Sequence, residues 1–257
     1  TRTVSDIAQS DPVGMLVGKI DGQTGESVAQ GDATLEGALF TVRYYAGDYP
    51  TAQAAEASGE PARTWVFETD ADGFAYYAEE YKHSGDALFY QTNGDASIPL
   101  GTILIQETRA PQGYNLDDGH GGDPKVFCIR ITEGGAQGES VYTYNSPQIP
   151  DRVKHGDFRL VKEVSTTIYS EPDGDMPQEV NRYLVPGVKF ELYNASEHAV
   201  VSPETGKLVE PGNRVCTIVT DDNGLATTLD DHAKVNGWSK PADWTGALAY
   251  GTYTVHE

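Results

Sequence analysis

One heptapeptide occurs twice in this chain and decides its fold, first as Gly101-Thr102-Ile103-Leu104-Ile105-Gln106-Glu107 and again as Gly251-Thr252-Tyr253-Thr254-Val255-His256-Glu257. In both copies alternate residues are apolar, which is typical of a β-strand with one buried face. Both copies end in a glutamate that is in phase with that face. A carboxyl group there costs free energy unless it has a partner or a chemical role.

The repeat extends well beyond this strand. Residues 35–42 match residues 185–192, and residues 67–75 match residues 218–226, with spacings between the matched motifs that agree to within one residue. We therefore predict two homologous domains, at residues 11–149 and 156–257. Pro147 and Pro150 exclude a helix between the two domains. They predict a short, stiff connector around residues 146–151.

Composition predicts an all-β protein of two tandem β-sandwiches. Alternating Val, Ile, Thr, Tyr and Phe are separated at short intervals by Gly, Asn, Asp and Pro turns, and long helical periodicity is absent. Residues 51–58 favour only a short helix within a loop insertion. Cys128 and Cys216 each lie in an apolar run and are expected to be buried free thiols. The net charge of −21 argues against nucleic acid or an anionic membrane as a partner.

The chemistry lies in polar residues that share a strand face with apolar ones, because residues two apart in a strand point the same way. In the first domain these sets are Met15, Val17 and Lys19; Ile103, Ile105 and Glu107; and Val141, Thr143 and Asn145. In the second domain they are Phe158, Leu160 and Lys162, and Tyr253, Val255 and Glu257. If the apolar members mark the core, a lysine, a glutamate and an asparagine all point into the first domain.

Buried together, these three groups could react with one another. Low dielectric favours the neutral amine of a lysine and the protonated form of a carboxyl group. A neutral amine is a nucleophile, and a carboxylic acid can polarise an amide and shuttle protons. Attack of Lys19 on the side chain of Asn145, assisted by Glu107, would expel ammonia and leave an intramolecular isopeptide bond.

Residues 101–114 resemble the glutamate-box signature of collagen-adhesin B-type (Cna B-type, SpaA-like) domains, which reads G-x-Y-x-[LV]-x-E-x-x-A-P-x-G-Y. These domains occur in Gram-positive surface adhesins and sortase-assembled pilins. The resemblance implies a seven-stranded reverse immunoglobulin-like sandwich, with a Lys–Asn isopeptide bond between its first and last strands. Ile103 departs from the aromatic residue usual in the box, and Tyr253 restores it in the second copy.

The resemblance also implies a role for each polar residue. Lys19 would be the nucleophile, Asn145 the acyl donor and Glu107 the proton shuttle, and Lys162 and Glu257 would fill the same roles in the second domain. Because the sequence stops at Glu257, we expect the second domain to lack its last strand. Lys162 would then have no asparagine to join, and the second domain would be the looser half.

These features predict a structural stalk or adhesin protein of the cell surface, extracellular and anchored to the cell wall through a segment outside this sequence. Its expected partners are other pilin or adhesin domains of the same protein, with no nucleic acid or membrane contact. No cofactor or metal is expected. The only chemistry predicted is single-turnover self-crosslinking, since no Ser/His/Asp set or second catalytic carboxylate for an external substrate is visible.

Two alternatives remain open. The insertions at residues 47–63, 78–97 and 230–246, the last with Trp238 and Trp244, could bind a glycan or a host matrix protein. Residues 70–73 and 221–224 are acidic and suggest calcium, but each lies between strands without a distal glutamate at the right spacing. A β-hairpin with glycine at positive φ is the favoured interpretation of both tracts.

Overall fold

The computed structural model describes residues 15–116, 124–132, 135–138, 148–168 and 179–257. The chain divides into two compact units. Unit 1 runs to Val153 apart from residues 30–32, and unit 2 consists of Gln30–Asp32 and Lys154–Glu257.

Strands dominate both units. Those of unit 1 are β1 (Met15–Asp21), β2 (Leu39–Tyr45), β3 (Arg63–Glu68), β4 (Phe74–Tyr76), β5 (Lys82–Gly85), β6 (Gly101–Arg109), β7 (Val126–Thr132), β8 (Gly135–Gly138) and β9 (Gln148–Asp151). Those of unit 2 are β10 (His155–Gly156), β11 (Arg159–Val161), β12 (Glu163–Ile168), β13 (Glu179–Leu184), β14 (Lys189–Asn194), β15 (Val200–Val201), β16 (Leu208–Val209), β17 (Arg214–Val219), β18 (Leu225–Thr227), β19 (Leu248–Ala249) and β20 (Tyr253–His256).

Helical structure in the described residues is short. It comprises α1 (Ala52–Glu56), α2 (Ala233–Asn236) and two 3-10 turns at Glu79–Tyr81 and Asp230–His232. Thr51 caps α1 by accepting a hydrogen bond from the backbone N–H of Ala54, which confirms the short helix expected in this insertion. None of the described helices has the length and apolar character needed to cross a membrane.

Unit 1 is a sandwich of two sheets. The small sheet has the order β4-β1-β9, and the large one has the order β5-β3-β2-β6-β7-β8. Val17 and Ile149 of the small sheet share one apolar core with Phe40, Ile105 and other inward residues of the large sheet. Burial alternates along β2, as period-2 patterning requires. The all-β sandwich class predicted from the sequence is confirmed.

Unit 2 repeats the central pairings of unit 1. In unit 1, β2 lies between β3 and β6, and β1 pairs antiparallel with β4. In unit 2, β14 lies between β17 and β20, and β11 pairs antiparallel with β18. The remaining described pairs of unit 2 are β12 with β13, β15 with β16, and β10 with β19.

The predicted connector around residues 146–151 is wrong over its second half. Gln148–Asp151 forms β9, which pairs in parallel with β1. Ile149 and Asp151 point inward, while Gln148 and Pro150 point outward. Proline is tolerated at position 150 because β9 lies at the edge of its sheet. An edge strand is hydrogen-bonded on one side only, so the missing N–H of proline need not remove a hydrogen bond of the sheet.

The tract at residues 70–73 is a tight turn, but it does not form the predicted hairpin. Asp70 Oδ1 accepts hydrogen bonds from the N–H groups of Asp72 and Phe74, and Gly73 has a φ of 79°. The turn joins β3 of one sheet to β4 of the other, so it forms a corner of the sandwich. A Cβ on Gly73 would lie 2.9 Å from Leu35 Cβ and 3.3 Å from the carbonyl oxygen of Lys19. Glycine therefore lets this corner approach β1 closely.

The two cysteines are free, as predicted. Cys216 is fully buried, and burial raises the pKa of its thiol to about 12. Cys128 is only partly buried, which corrects the expectation of complete burial for both.

Candidate functional site

A lysine and two carboxyl groups meet inside unit 1. Lys19 Nζ donates a hydrogen bond to Glu107 Oε2 at 2.9 Å and lies 2.8 Å from Asp151 Oδ1. The exposed fractions of the three side chains are 0, 3 and 2%, so bulk water does not reach them. Lys19 and Glu107 were predicted from the sequence to point into the core, and their burial confirms that prediction.

The strands fix this geometry. β1 and β9 run in parallel with Lys19 opposite Ile149 and Asp21 opposite Asp151. Lys19 and Asp151 therefore lie on neighbouring strands and on the same inward face. Glu107 comes from β6 in the facing sheet, where it stands opposite Phe40 of β2. The sandwich thus brings together residues that are far apart in sequence.

An apolar wall lines the site. Lys19 Nζ lies 5.9 Å from the centre of the Phe40 ring, and Val17, Phe40 and Ile105 are fully buried beside the polar groups. A low local dielectric strengthens interactions among the three groups and penalises any unpaired charge. The energetic cost of this arrangement implies a use for it.

Burial raises the pKa of Glu107 to about 8. This value already includes the opposing effects of the two neighbours: the Lys19 ammonium group lowers the pKa, and the Asp151 carboxyl group raises it. Near neutral pH, Glu107 is therefore largely protonated and can donate a proton. An amine, a carboxyl group and a proton donor in mutual contact make up the reactants and the acid–base catalyst of an amide condensation.

Asp151 was not among the residues singled out from the sequence. The signal was present, because Ile149 and Asp151 show the same apolar-x-polar alternation as Val17 and Lys19. The two prolines around them favoured a linker instead. Asn145, the predicted acyl donor, lies outside the described residues, as do Val141 and Thr143, and its role stays a prediction.

The turn that follows Glu107 holds a second buried polar pair. Tyr114 Oη donates a hydrogen bond to Asp21 Oδ2 at 2.8 Å, and both side chains are buried. Asp21 lies two residues after Lys19 and shares its face of β1. The sequence shows Tyr114 as the last residue of the glutamate box and predicts no partner for it.

In unit 2, Lys162 Nζ lies 2.5 Å from Glu257 Oε2. Their exposed fractions are 28 and 53%, so this pair is in contact with solvent. The predicted pairing of Lys162 with Glu257 is present, but the burial expected from their apolar neighbours is not. Phe158, Leu160 and Val255 are each only partly buried.

The tryptophans proposed for ligand binding anchor their own loop. Trp238 Nε1 donates a hydrogen bond to the carbonyl oxygen of Thr217 at 2.6 Å. The ring of Trp244 lies against that of His155, with centroids 4.5 Å apart and planes tilted by 34°. Both contacts involve residues of unit 2, which favours a role for the two tryptophans in anchoring their own loop. No cluster of three metal-ligating side chains occurs in the part of the chain that the structure describes.

The solved structures of two bacterial proteins are distantly similar to this chain. The structure of the Bacillus anthracis TIE protein is 20% identical over 95% of this chain, with a TM-score of 0.39, and this chain spans about 28% of its length. GBS52, the minor pilin of Streptococcus agalactiae, is 11% identical over 83% of this chain and 77% of its own, with a TM-score of 0.26. No family model and no curated protein sequence matches.

Proposed function

We propose that unit 1 is a self-crosslinking structural module of a bacterial surface protein, stiffened by an intramolecular isopeptide bond from Lys19 to Asp151. One observation carries the proposal: a fully buried amine lies 2.8 Å from a buried carboxyl group, beside a third group that can donate a proton. Nζ contacts Oδ1, which is bonded to the reacting carbon Cγ, so the amine lies next to the atom that it would attack.

The reaction is a condensation. Lys19 first gives up a proton to the Asp151 carboxylate, and the neutral amine then attacks Cγ of the resulting carboxylic acid and forms the C–N bond. Glu107 donates its proton to the departing oxygen of Asp151 and recovers one from the nitrogen. One C–O bond breaks, one amide bond forms and one water leaves, so no external reactant or cofactor is needed.

Asp151 and Asn145 are rival acyl donors with different leaving groups. The resemblance to Cna B-type domains implies Asn145 and loss of ammonia. The contact between Lys19 and Asp151 favours Asp151 and loss of water. The lysine as nucleophile and Glu107 as proton shuttle are common to both schemes.

Such a bond would serve a mechanical purpose. It would join β1 to β9, which run in parallel, so that tension along the chain would pass through the amide instead of separating the strands. By analogy with a disulfide that closes a long loop, it would also stabilise unit 1 by about 4–5 kcal/mol. These properties suit a stalk or pilin exposed outside the cell, anchored to the cell wall and joined to further domains of its kind.

Intact mass of the full chain tests the proposal. Wild type should be lighter than its sequence mass by one water, and tandem mass spectrometry should find a branched peptide joining Lys19 to Asp151. Asp151→Asn should instead lose one ammonia, and Asp151→Ala should have its full mass. Glu107→Ala should also keep the full mass, whereas Glu257→Ala, the matched control in unit 2, should remain one water short.

Two results would count against this scheme. A full mass in wild type would overturn the crosslink itself. Loss of ammonia that persists in Asp151→Ala would transfer the acyl donor to Asn145.

A further inference from the structure

We propose that Tyr114 is the positioning residue that brings Lys19 and Asp151 into reaction geometry, an inference that rests on the crosslinking proposed above. The hydroxyl group of Tyr114 donates to Asp21, which is not one of the reacting residues. Tyr114 acts on the two strands that carry Lys19 and Asp151, through its hydroxyl group on one side and its backbone on the other.

The hydroxyl group holds β1. It donates to Asp21 Oδ2 at 2.8 Å, and Asp21 is the next inward residue after Lys19. The other oxygen of Asp21 accepts from the N–H groups of Gln23 at 2.9 Å and Thr24 at 2.8 Å. The carboxylate is therefore oriented from both sides, and Tyr114 holds a rigid end of β1.

The backbone holds β9. Tyr114 forms an antiparallel bridge with Val153, which lies two residues after Asp151. The next residue, Asn115, donates its N–H to the carbonyl oxygen of Arg152 at 2.9 Å. The chain that follows β9 is thus fixed against the same tyrosine that fixes the end of β1.

The same segment also carries the proton donor. Glu107 lies on β6, and the chain passes directly from β6 into the turn that ends at Tyr114, where the N–H of Tyr114 donates to the carbonyl oxygen of Pro111 at 3.2 Å. One turn therefore sets the positions of all three reacting side chains. Register matters here, since a slip of one residue between β1 and β9 would turn Lys19 or Asp151 to the outer face.

The expected effect is on rate. A displacement of about 1 Å from near-attack geometry can slow a reaction by roughly 100-fold. Tyr114→Phe removes the link to Asp21 and keeps the ring, so we expect the crosslink to form about 10–100-fold more slowly in a folded protein.

Tyr44→Phe is the matched control. Tyr44 is another buried tyrosine of unit 1, and its hydroxyl group donates to the carbonyl oxygen of Leu100 at 2.7 Å, away from the site. Both substitutions remove one buried hydroxyl group and its hydrogen bond. A purely structural role for Tyr114 predicts that the two variants crosslink alike.

The experiment follows the full chain after cell-free synthesis, with intact mass recorded at intervals. Wild type and Tyr44→Phe should lose water at the same rate, and Tyr114→Phe should lag. Thermal unfolding of both tyrosine variants in a Glu107→Ala background, where no bond forms, should show similar losses of stability. Equal rates for Tyr114→Phe and wild type would overturn the inference.

A second pair of variants tests the link between Tyr114 and Asp21 even if Tyr114→Phe fails to fold. In Asp21→Asn the amide oxygen can keep the N–H groups of Gln23 and Thr24 while the amide NH2 group donates to the Tyr114 hydroxyl oxygen. Asp21→Ala can make neither contact, so Asp21→Asn should crosslink faster. Equal rates for this pair would also count against Tyr114. If wild type itself never loses water, the crosslink proposal fails, which is a different result from a crosslink that forms without help from Tyr114.

Discussion

The lysine–glutamate pairs of the two units are alike in sequence and unlike in setting. Lys19 and Glu107 are buried, whereas Lys162 and Glu257 are 28 and 53% exposed. The backbone is equivalent around both lysines. The N–H of Lys19 donates to the carbonyl oxygen of Gly73 at 2.7 Å, and the N–H of Lys162 donates to the carbonyl oxygen of Gly224 at 2.8 Å. The difference therefore arises from what covers each pair, and not from the local strand.

In unit 1, the strand that covers the lysine–glutamate pair is β9. It pairs with the edge of β1 away from β4 and places Ile149 and Asp151 over the site. Among the described residues of unit 2, β11 pairs with β18 alone. A shared motif thus places the same two side chains together, but a third strand determines whether they are in a medium that alters their chemistry.

The physical reason is desolvation. Burial is the main cause of the raised pKa of Glu107, and a proton donor near neutral pH depends on it. An ion pair in contact with water, such as the one in unit 2, is screened and contributes little. We therefore expect covalent chemistry in unit 1 and an ordinary salt bridge in unit 2 of this chain.

The largest expected effect is mechanical. When the full chain is stretched by its ends, unit 2 should unfold completely, while the residues between Lys19 and Asp151 should add no length because the amide carries the load. Single-molecule force spectroscopy measures this as missing contour length. Glu107→Ala should restore the extension of unit 1, and a wild-type chain that extends fully would remove the mechanical distinction between the units.

The next effect is on stability. Lys19→Ala should lower the free energy of unfolding of unit 1 by about 4–5 kcal/mol through loss of the crosslink, and by about 3–5 kcal/mol more through the carboxyl groups left buried. Lys162→Ala removes an exposed pair and should cost only about 0.2–1 kcal/mol. Chemical denaturation of both variants, followed by a probe in each unit, measures the difference. Similar losses in the two units would contradict the contrast drawn from burial.

The smallest expected effect is on the pH dependence of crosslinking. Glu107 donates a proton only when protonated, and its pKa in the folded unit is about 8. The rate in newly synthesised chain should therefore fall up to tenfold per pH unit above about 8, a change of about 1.4 kcal/mol per unit. A time course of intact mass at several pH values, with circular dichroism to confirm folding, measures it. A rate that keeps rising above pH 8 would exclude Glu107 as the donor.

The raised pKa of Glu107 also makes the stability of unit 1 depend on pH before the bond forms. The pKa of Glu107 is about 8 in the folded unit, against an ordinary value of 4.5. Between these values the folded state binds more protons than the unfolded state. The contribution of Glu107 therefore favours folding fully at low pH and is lost as pH rises from about 4.5 to about 8.

Much of the site was visible in the sequence because strand periodicity reports which face a residue occupies. The alternation Val17-x-Lys19 and Ile105-x-Glu107 predicted two inward polar side chains, and both are buried. The acyl partner was harder to find. Pro150 separates Ile149 from Asp151, and a proline-rich tract is as typical of a linker as of an edge strand. The sequence therefore predicts that this aspartate lies in the connector.

The sequence by itself determined the two repeated units, the all-β class and the strand faces, because these depend on local alternation and on matching motifs. The lysine–glutamate pairing in each unit was implied by the resemblance to Cna B-type domains. Only the tertiary structure decided that Asp151 contacts Lys19 and that Tyr114 reaches Asp21. It also decided that the lysine–glutamate pair of unit 1 is buried while that of unit 2 is exposed to solvent. Those outcomes depend on which distant strand lies alongside β1. A period of two residues specifies the face of a strand but not what packs against it.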